Sequence, residues 1–177
     1  MEALEHATRR RVYELVRAQP GVHLREIARL LGLSITLVDY HLRFLAKHEL
    51  VGFTADGEYK RCYPRYAPGD AEAKPALDEA DKRVLGLLRQ RVPRALLLRL
   101  LEVEEAPHGA LLPFSGVSPS TLSHHLKKMV ASGVVLPTAA GYRVADPRRV
   151  ARLSVLYEIA SADQVETFLR VWGEFRM

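Results

Sequence analysis

The stretch GLSITLVDYHL, residues 32–42, returns 84 positions later as GVSPSTLSHHL, residues 116–126, without a gap. Each copy opens on a glycine, Gly32 or Gly116, suited to stopping one helix in a left-handed turn. Each then offers a serine, Ser34 or Ser118, suited to capping the next helix. The register spreads both ways from there. Residues 10–16 fall on 94–100, Leu50 and Val51 on Val134 and Val135, and Gly57 on Gly141. A match held over that span marks one supersecondary unit that occurs twice.

Upstream of Gly32, Val12, Leu15 and Val16 have helical spacing that ends at Pro20 and Gly21, and Leu24, Ile27, Ala28 and Leu31 mark a second amphipathic helix. Downstream of Ser34, the residues Val38, His41, Leu42, Leu45 and Ala46 share one helical face, with Asp39, Tyr40, Arg43 and Lys47 opposite. Residues 52–63 read as two strands around a turn at Asp56 and Gly57. Helix, helix, turn, helix and hairpin is the order of a winged helix. The second copy predicts helices over 94–103, 109–114 and 118–131 and a hairpin turning at Ala140 and Gly141.

The predicted fold class is therefore mainly α with small β-hairpin wings, an α+β chain of two winged helix-turn-helix domains followed by C-terminal helices. Residues 1–66 form the first domain and 92–145 the second. Between them, residues 67–91 are a linker containing Pro68, Gly69 and Pro75, and a connecting helix over 77–91. Residues 146–177 hold two amphipathic segments, 148–160 and 162–175. Their Val150, Leu153, Leu156, Val165, Phe168, Leu169 and Trp172 suit either a dimer interface or a cap.

Composition narrows the function classes. The net charge of +5 and the pI near 9.5 permit a polyanionic partner without requiring one. Residues 1–66 carry 11 Lys and Arg against 8 Asp and Glu, and residues 92–177 carry 10 against 8, so neither half is overwhelmingly basic. Apolar runs stop at three or four residues, and Glu2 and Glu5 follow Met1, so the reading is a soluble cytoplasmic chain with no membrane partner. The single Cys62 has no disulfide partner and no zinc-finger spacing around it. Seven histidines raise a metal site, but His41 with His48 or Cys62 matches no compact ligand spacing. His41 and His125 occupy one repeat position beside Leu42 and Leu126, which reads as packing. No G-x-S-x-G, phosphate-binding glycine loop or paired carboxylates are present, so neither an enzyme nor a cofactor is expected.

A helix-turn-helix braces one helix on the DNA backbone and sends the next into the major groove. The segment LREIARLLGLS, residues 24–34, followed by Val38, His41, Leu42 and Leu45, resembles the ArsR-type winged helices of bacterial and archaeal regulators. Residues 118–135 resemble them equally. The likeness covers 10–66 and 93–144, a pairing similar to the tandem winged-helix transcriptional regulators common in archaea. It implies DNA-binding regulation, with double-stranded DNA as partner. The two C-terminal helices lie outside the likeness, and a homodimer through them is an expectation from their apolar faces. Carried over position by position, it turns Ile35, Thr36, Asp39, Tyr40 and Arg43 toward DNA from the first copy, and Ser120, Ser123, His124, Lys127 and Lys128 from the second. The wing adds Lys60 and Arg61, with Arg65 just beyond.

Asp39 departs from that pattern, since a carboxylate would face a negative groove. It can accept a hydrogen bond from a cytosine amino group or pair with Arg43 four residues on. Neither third helix carries the Asn or Gln that reads adenine with paired hydrogen bonds, which implies modest base specificity. The alternative function is a winged-helix protein-protein interaction scaffold in a chromosome or polymerase-associated complex, favoured by Asp39 and the apolar Ile35 and Leu37. A minor reading is RNA binding through Tyr59, Tyr63 and Tyr66 beside Lys60, Arg61 and Arg65.

Overall fold

Caps and left-handed glycines divide the chain into nine helices and six short strands among the residues described by the computed structural model, 4–56, 59–66, 69–70 and 73–172. The side chains of Val171 and Trp172 fall outside that description. So do Gly57 of the predicted turn, Pro68 of the linker and Phe175 of the last segment. The contacts separate into two units, Met1–Lys82 and Arg83–Met177.

In the first unit the order is α1 (Ala7–Ala18), β1 (Val22–His23), α2 (Leu24–Leu31), α3 (Ile35–Lys47), β2 (Val51–Asp56) and β3 (Tyr59–Pro64). Gly32 ends α2 at φ 65° and ψ 34°, and its N–H turns back to the carbonyls of Ala28 and Arg29. Ser34 then starts α3, its Oγ accepting the Leu37 N–H at 3.2 Å. The two helices meet at this corner because a capped start follows a left-handed stop after two residues. Val12, Val16, Ile27, Val38, Leu42, Leu45, Val51 and Cys62 fill the core beneath them. Burial of each large aliphatic side chain contributes roughly 1.5–3 kcal/mol. The strands lie antiparallel in the order β1-β3-β2, with His23 opposite Arg61. Strand β1 is absent from the sequence reading, because two residues are too few to show alternation.

The chain that leaves the wing returns to the same unit. The Arg65 N–H donates to the Leu50 carbonyl at 2.8 Å, and the Tyr13 hydroxyl donates to the Arg65 carbonyl at 3.0 Å. Arg17 pairs with Asp70 at 3.4 Å and lies over the Tyr13 and Tyr66 rings. The Tyr63 hydroxyl donates to the Lys82 carbonyl at 2.8 Å.

Helix α4 (Glu79–Leu88) is shorter than the expected connecting helix over 77–91, and α5 (Arg91–Val103) starts anew. Pro93 explains the break. A proline has no N–H to give an interior helical bond and fits within a first turn, so a helix begins just before it. Gln90 bridges the gap, its Nε2 donating to the Gly86 carbonyl at 3.0 Å.

The second unit continues with β4 (Glu105–Ala106), α6 (His108–Ser115), α7 (Pro119–Ala131), β5 (Val135–Pro137) and β6 (Tyr142–Val144), in the sheet order β4-β6-β5. Gly116 adopts φ 63° and Ser118 accepts the Thr121 N–H at 3.3 Å, as their counterparts do in the first unit. At Gly141 a β-carbon would lie 2.2 Å from the Ala106 carbonyl oxygen, so the hairpin backbone runs directly against β4 and admits glycine alone. Helices α8 (Pro147–Leu156) and α9 (Ala162–Trp172) pack on α5. They bury Val150, Leu153 and Phe168 while Leu169 stays exposed. No helix among the described residues is long and apolar enough to cross a membrane.

Candidate nucleic-acid interface

Helix α3 buries Val38, His41, Leu42 and Leu45, which leaves the other side of the helix to solvent. Ile35 is 49% exposed, Leu37 39% and Tyr40 58%, and Thr36 and Arg43 are exposed beside them. Of the two readings of Asp39, the structure has the ion pair. Arg43 Nε lies 2.7 Å from Asp39 Oδ2 at helical i,i+4 spacing. Such exposed pairs contribute only about 0.3–0.5 kcal/mol, so either partner can be recruited elsewhere at small cost.

The wing cations part ways. Lys60 is exposed on β3 opposite Ala55. Arg61, expected to grip phosphate, is instead turned inward and buried. Its Nε donates to Asp56 Oδ2 at 2.6 Å and its Nη1 donates to the Gly21 carbonyl at 2.8 Å. It thereby clamps the turn before β1 to the end of β2. The central position of β3, flanked by β1 and β2, is what draws this arginine in.

The tyrosines also separate by position. Tyr63 is buried and Tyr66 is half-buried under Arg17, leaving Tyr59 exposed at the wing with its ring 5.8 Å from that of His23. His23 also caps α2, its Nδ1 accepting the Glu26 N–H at 3.2 Å. Nothing in the sequence marks that role, since histidine is not among the preferred caps. Arg25, exposed on the first turn of α2, is a further cation that the sequence reading left out. The signal for it was present, because it lies off the apolar face set by Leu24, Ile27 and Ala28.

In the second unit Ser120, Ser123, His124, Lys127 and Lys128 are all exposed on α7. Two of the serines are already engaged. Ser123 Oγ donates to the Pro119 carbonyl at 3.0 Å and lies 2.9 Å from His108 Nε2, while Ser120 Oγ is 3.1 Å from Ser118 Oγ. The His124 ring meets the His125 ring edge-on at 6.1 Å.

The repeat-related histidines are less alike than their register implies. His41 is buried, and neither ring nitrogen has a hydrogen-bond partner among the described residues. Burial, then the neighbouring His6 and Arg9, holds the ring below the usual histidine range. His125 is half-buried and shifted the same way, by burial first and then by His124, Lys128 and Arg91. No group of three or more His, Cys, Asp or Glu side chains among the described residues could hold a metal ion. Cys62 is buried in the core, and burial pushes its thiol up to about 12.

The corner between α2 and α3 and the strands behind it make the first unit comparable with known proteins. Residues 6–77 match the family HTH_HVO_0163_N, an N-terminal HTH domain. The match reaches past β3 into the segment that Tyr13 and Arg17 tie back to α1. Over 145 residues, 81% of the chain, the sequence is 26% identical to a Methanocaldococcus jannaschii protein named Uncharacterized HTH-type transcriptional regulator MJ1398. The chain spans 34% of that relative's length. No solved structure matches the chain.

Proposed function

We propose that this chain is a DNA-binding transcriptional regulator of the tandem winged-helix, ArsR-like kind. Residues 1–66 and 92–145 are its two DNA-facing domains, 67–91 the linker and connecting helix, and 146–177 the helices through which it forms a homodimer. The observation that carries this reading is the outward face of α3, presented by the left-handed turn at Gly32 inside the stretch that matches an HTH family. A helix exposed on one side and braced on the other is what a major groove admits.

In this reading Thr36, Tyr40 and Arg43 reach base edges, with Ile35 making apolar contact and Asp39 holding Arg43 in place until DNA binds. Lys60 rests on phosphate. In the second domain Ser120, His124, Lys127 and Lys128 meet DNA, and Ser123 steadies the corner through His108. Dimerisation doubles the phosphate contacts and the salt dependence.

The exposure of Ile35, Leu37 and Tyr40 favours a second reading, in which α3 docks on another protein. One titration separates the two. Fluorescence anisotropy would use a labelled duplex from the region upstream of the gene, at two salt concentrations, with random duplex and single-stranded RNA as competitors. The regulator reading expects the upstream duplex to resist both competitors and to weaken steeply with salt. Failure to bind any duplex at low salt would sink it and leave the docking surface.

A further inference from the structure

A cavity of about 310 Å³ opens in the first unit between the wing strands and the segment that leads into α4. That volume lies at the lower end of the range for small-molecule pockets. Its aromatic walls are Phe53, Tyr63 and Tyr66, and Arg65 and Lys82 supply its cations. Phe53 is a large apolar side chain left 44% exposed there.

The two cations differ in what they already hold. Lys82 Nζ is paired with Glu79 Oε1 at 2.5 Å. The Arg65 guanidinium has no ion pair or hydrogen bond among the described residues. Its backbone, in contrast, is fixed on both sides, by the N–H bond to the Leu50 carbonyl and the carbonyl bond from the Tyr13 hydroxyl. Gly52 lets the side chain lie flat on β2, since a β-carbon there would sit 3.1 Å from Arg65 Nε. Tyr63 is held as a wall by its bond to the Lys82 carbonyl. A guanidinium fork without a counter-ion among the described residues, lining one cavity with Phe53, Tyr63 and Tyr66, is complementary to a carboxylate carried on a flat ring.

We propose that this cavity binds a small aromatic carboxylate, with the carboxylate on Arg65 and the ring between Phe53 and the tyrosines. The site lies off the outward face of α3, and its occupancy does not depend on whether the chain binds DNA.

Saturation-transfer NMR on the full chain tests this with benzoate, phenylacetate and indole-3-acetate, each against its neutral amide, in the absence of DNA. The carboxylates should bind at least about tenfold more tightly than the amides, the worth of one charge-assisted contact. Arg65→Gln should erase that difference while leaving ring binding in place. Phe53→Ser, at an exposed position, should weaken acids and amides alike, and circular dichroism should show both variants folded. No binding of any of the three carboxylates at about 10 mM, a concentration that reveals even very weak ligands, overturns the proposal. So does an acid preference that survives Arg65→Gln.

Discussion

Arg61 and Lys60 are adjacent cations in opposite settings, one buried and one exposed, and in the regulator reading replacing each in turn should separate stability from DNA affinity. Arg61→Met keeps most of the aliphatic stem and removes both bonds of the guanidinium, the one to Asp56 at 2.6 Å and the one to the Gly21 carbonyl at 2.8 Å. A hydrogen bond to a charged group is worth about 1.5–3 kcal/mol and one to a carbonyl about 1 kcal/mol. The Arg61 side chain is 7% exposed, but that of Asp56 is 23% exposed, so water takes up part of what the carboxylate loses. The net cost comes to about 2–3 kcal/mol. In a unit of this size each kcal/mol moves the melting midpoint by roughly 4–8 °C, so a drop of about 10–20 °C is expected. Melting of the first unit can be followed by labelling of Cys62, the single cysteine in the chain and part of that unit's core. Lys60→Ala should leave this melt nearly unchanged and flatten the plot of log affinity against log salt by about 0.9 for the lost phosphate contact. Arg61→Met, assayed below its melting range, should leave that slope alone. The reasoning is refuted if Arg61→Met melts like the parent and flattens the salt slope.

Three other perturbations follow from the geometry. The folded first unit prefers His41 neutral, because burial and then His6 and Arg9 lower its affinity for a proton, whereas the unfolded chain protonates near pH 6.5. Stability should therefore be intact above about pH 6.5 and fall as the pH drops toward the lower folded value, and His41→Leu should reduce that fall in urea titrations. His23, lowered mainly by burial and Arg61, leaves a residual dependence behind. Gly32→Ala should cost about 1–2 kcal/mol for the left-handed backbone alone, since nothing among the described residues lies within 4 Å of the new carbon. Gly141→Ala should cost distinctly more because its carbon meets the Ala106 carbonyl, and equal denaturant midpoints for the two variants would contradict this. Cys62, with its thiol pushed up to about 12, should react with a disulfide reagent at neutral pH at least about a hundredfold more slowly in the native chain than in urea.

What could be read in the residues alone was whatever depends on near neighbours. Ser34 and Ser118 placed the starts of α3 and α7 because a cap acts over three residues, and Gly32 and Gly116 placed the stops because a left-handed residue needs no distant support. The Asp39 and Arg43 pair was legible for the same reason. The features that escaped depend on tertiary placement. Strands β1 and β4 exist because β3 and β6 pair with them, and two residues cannot announce that. Ser123 and His108 stand fifteen positions apart and meet through the packing of α6 on α7. Arg61 is the instructive case. Neighbouring strand residues point to opposite faces, so an exposed Lys60 already implied an inward Arg61, but the shared charge of the pair suggested a shared role.

The return of the chain onto α1 after β3 decides where the protein can be cut. A fragment ending at Tyr66 would take Asp70 from Arg17 and the Lys82 carbonyl from the Tyr63 hydroxyl, exposing the seam between the first helix and the sheet. Anyone wishing to study the first helix-turn-helix by itself should carry the fragment through residue 82. A shorter piece that binds DNA poorly would be reporting a torn edge rather than a weak reader.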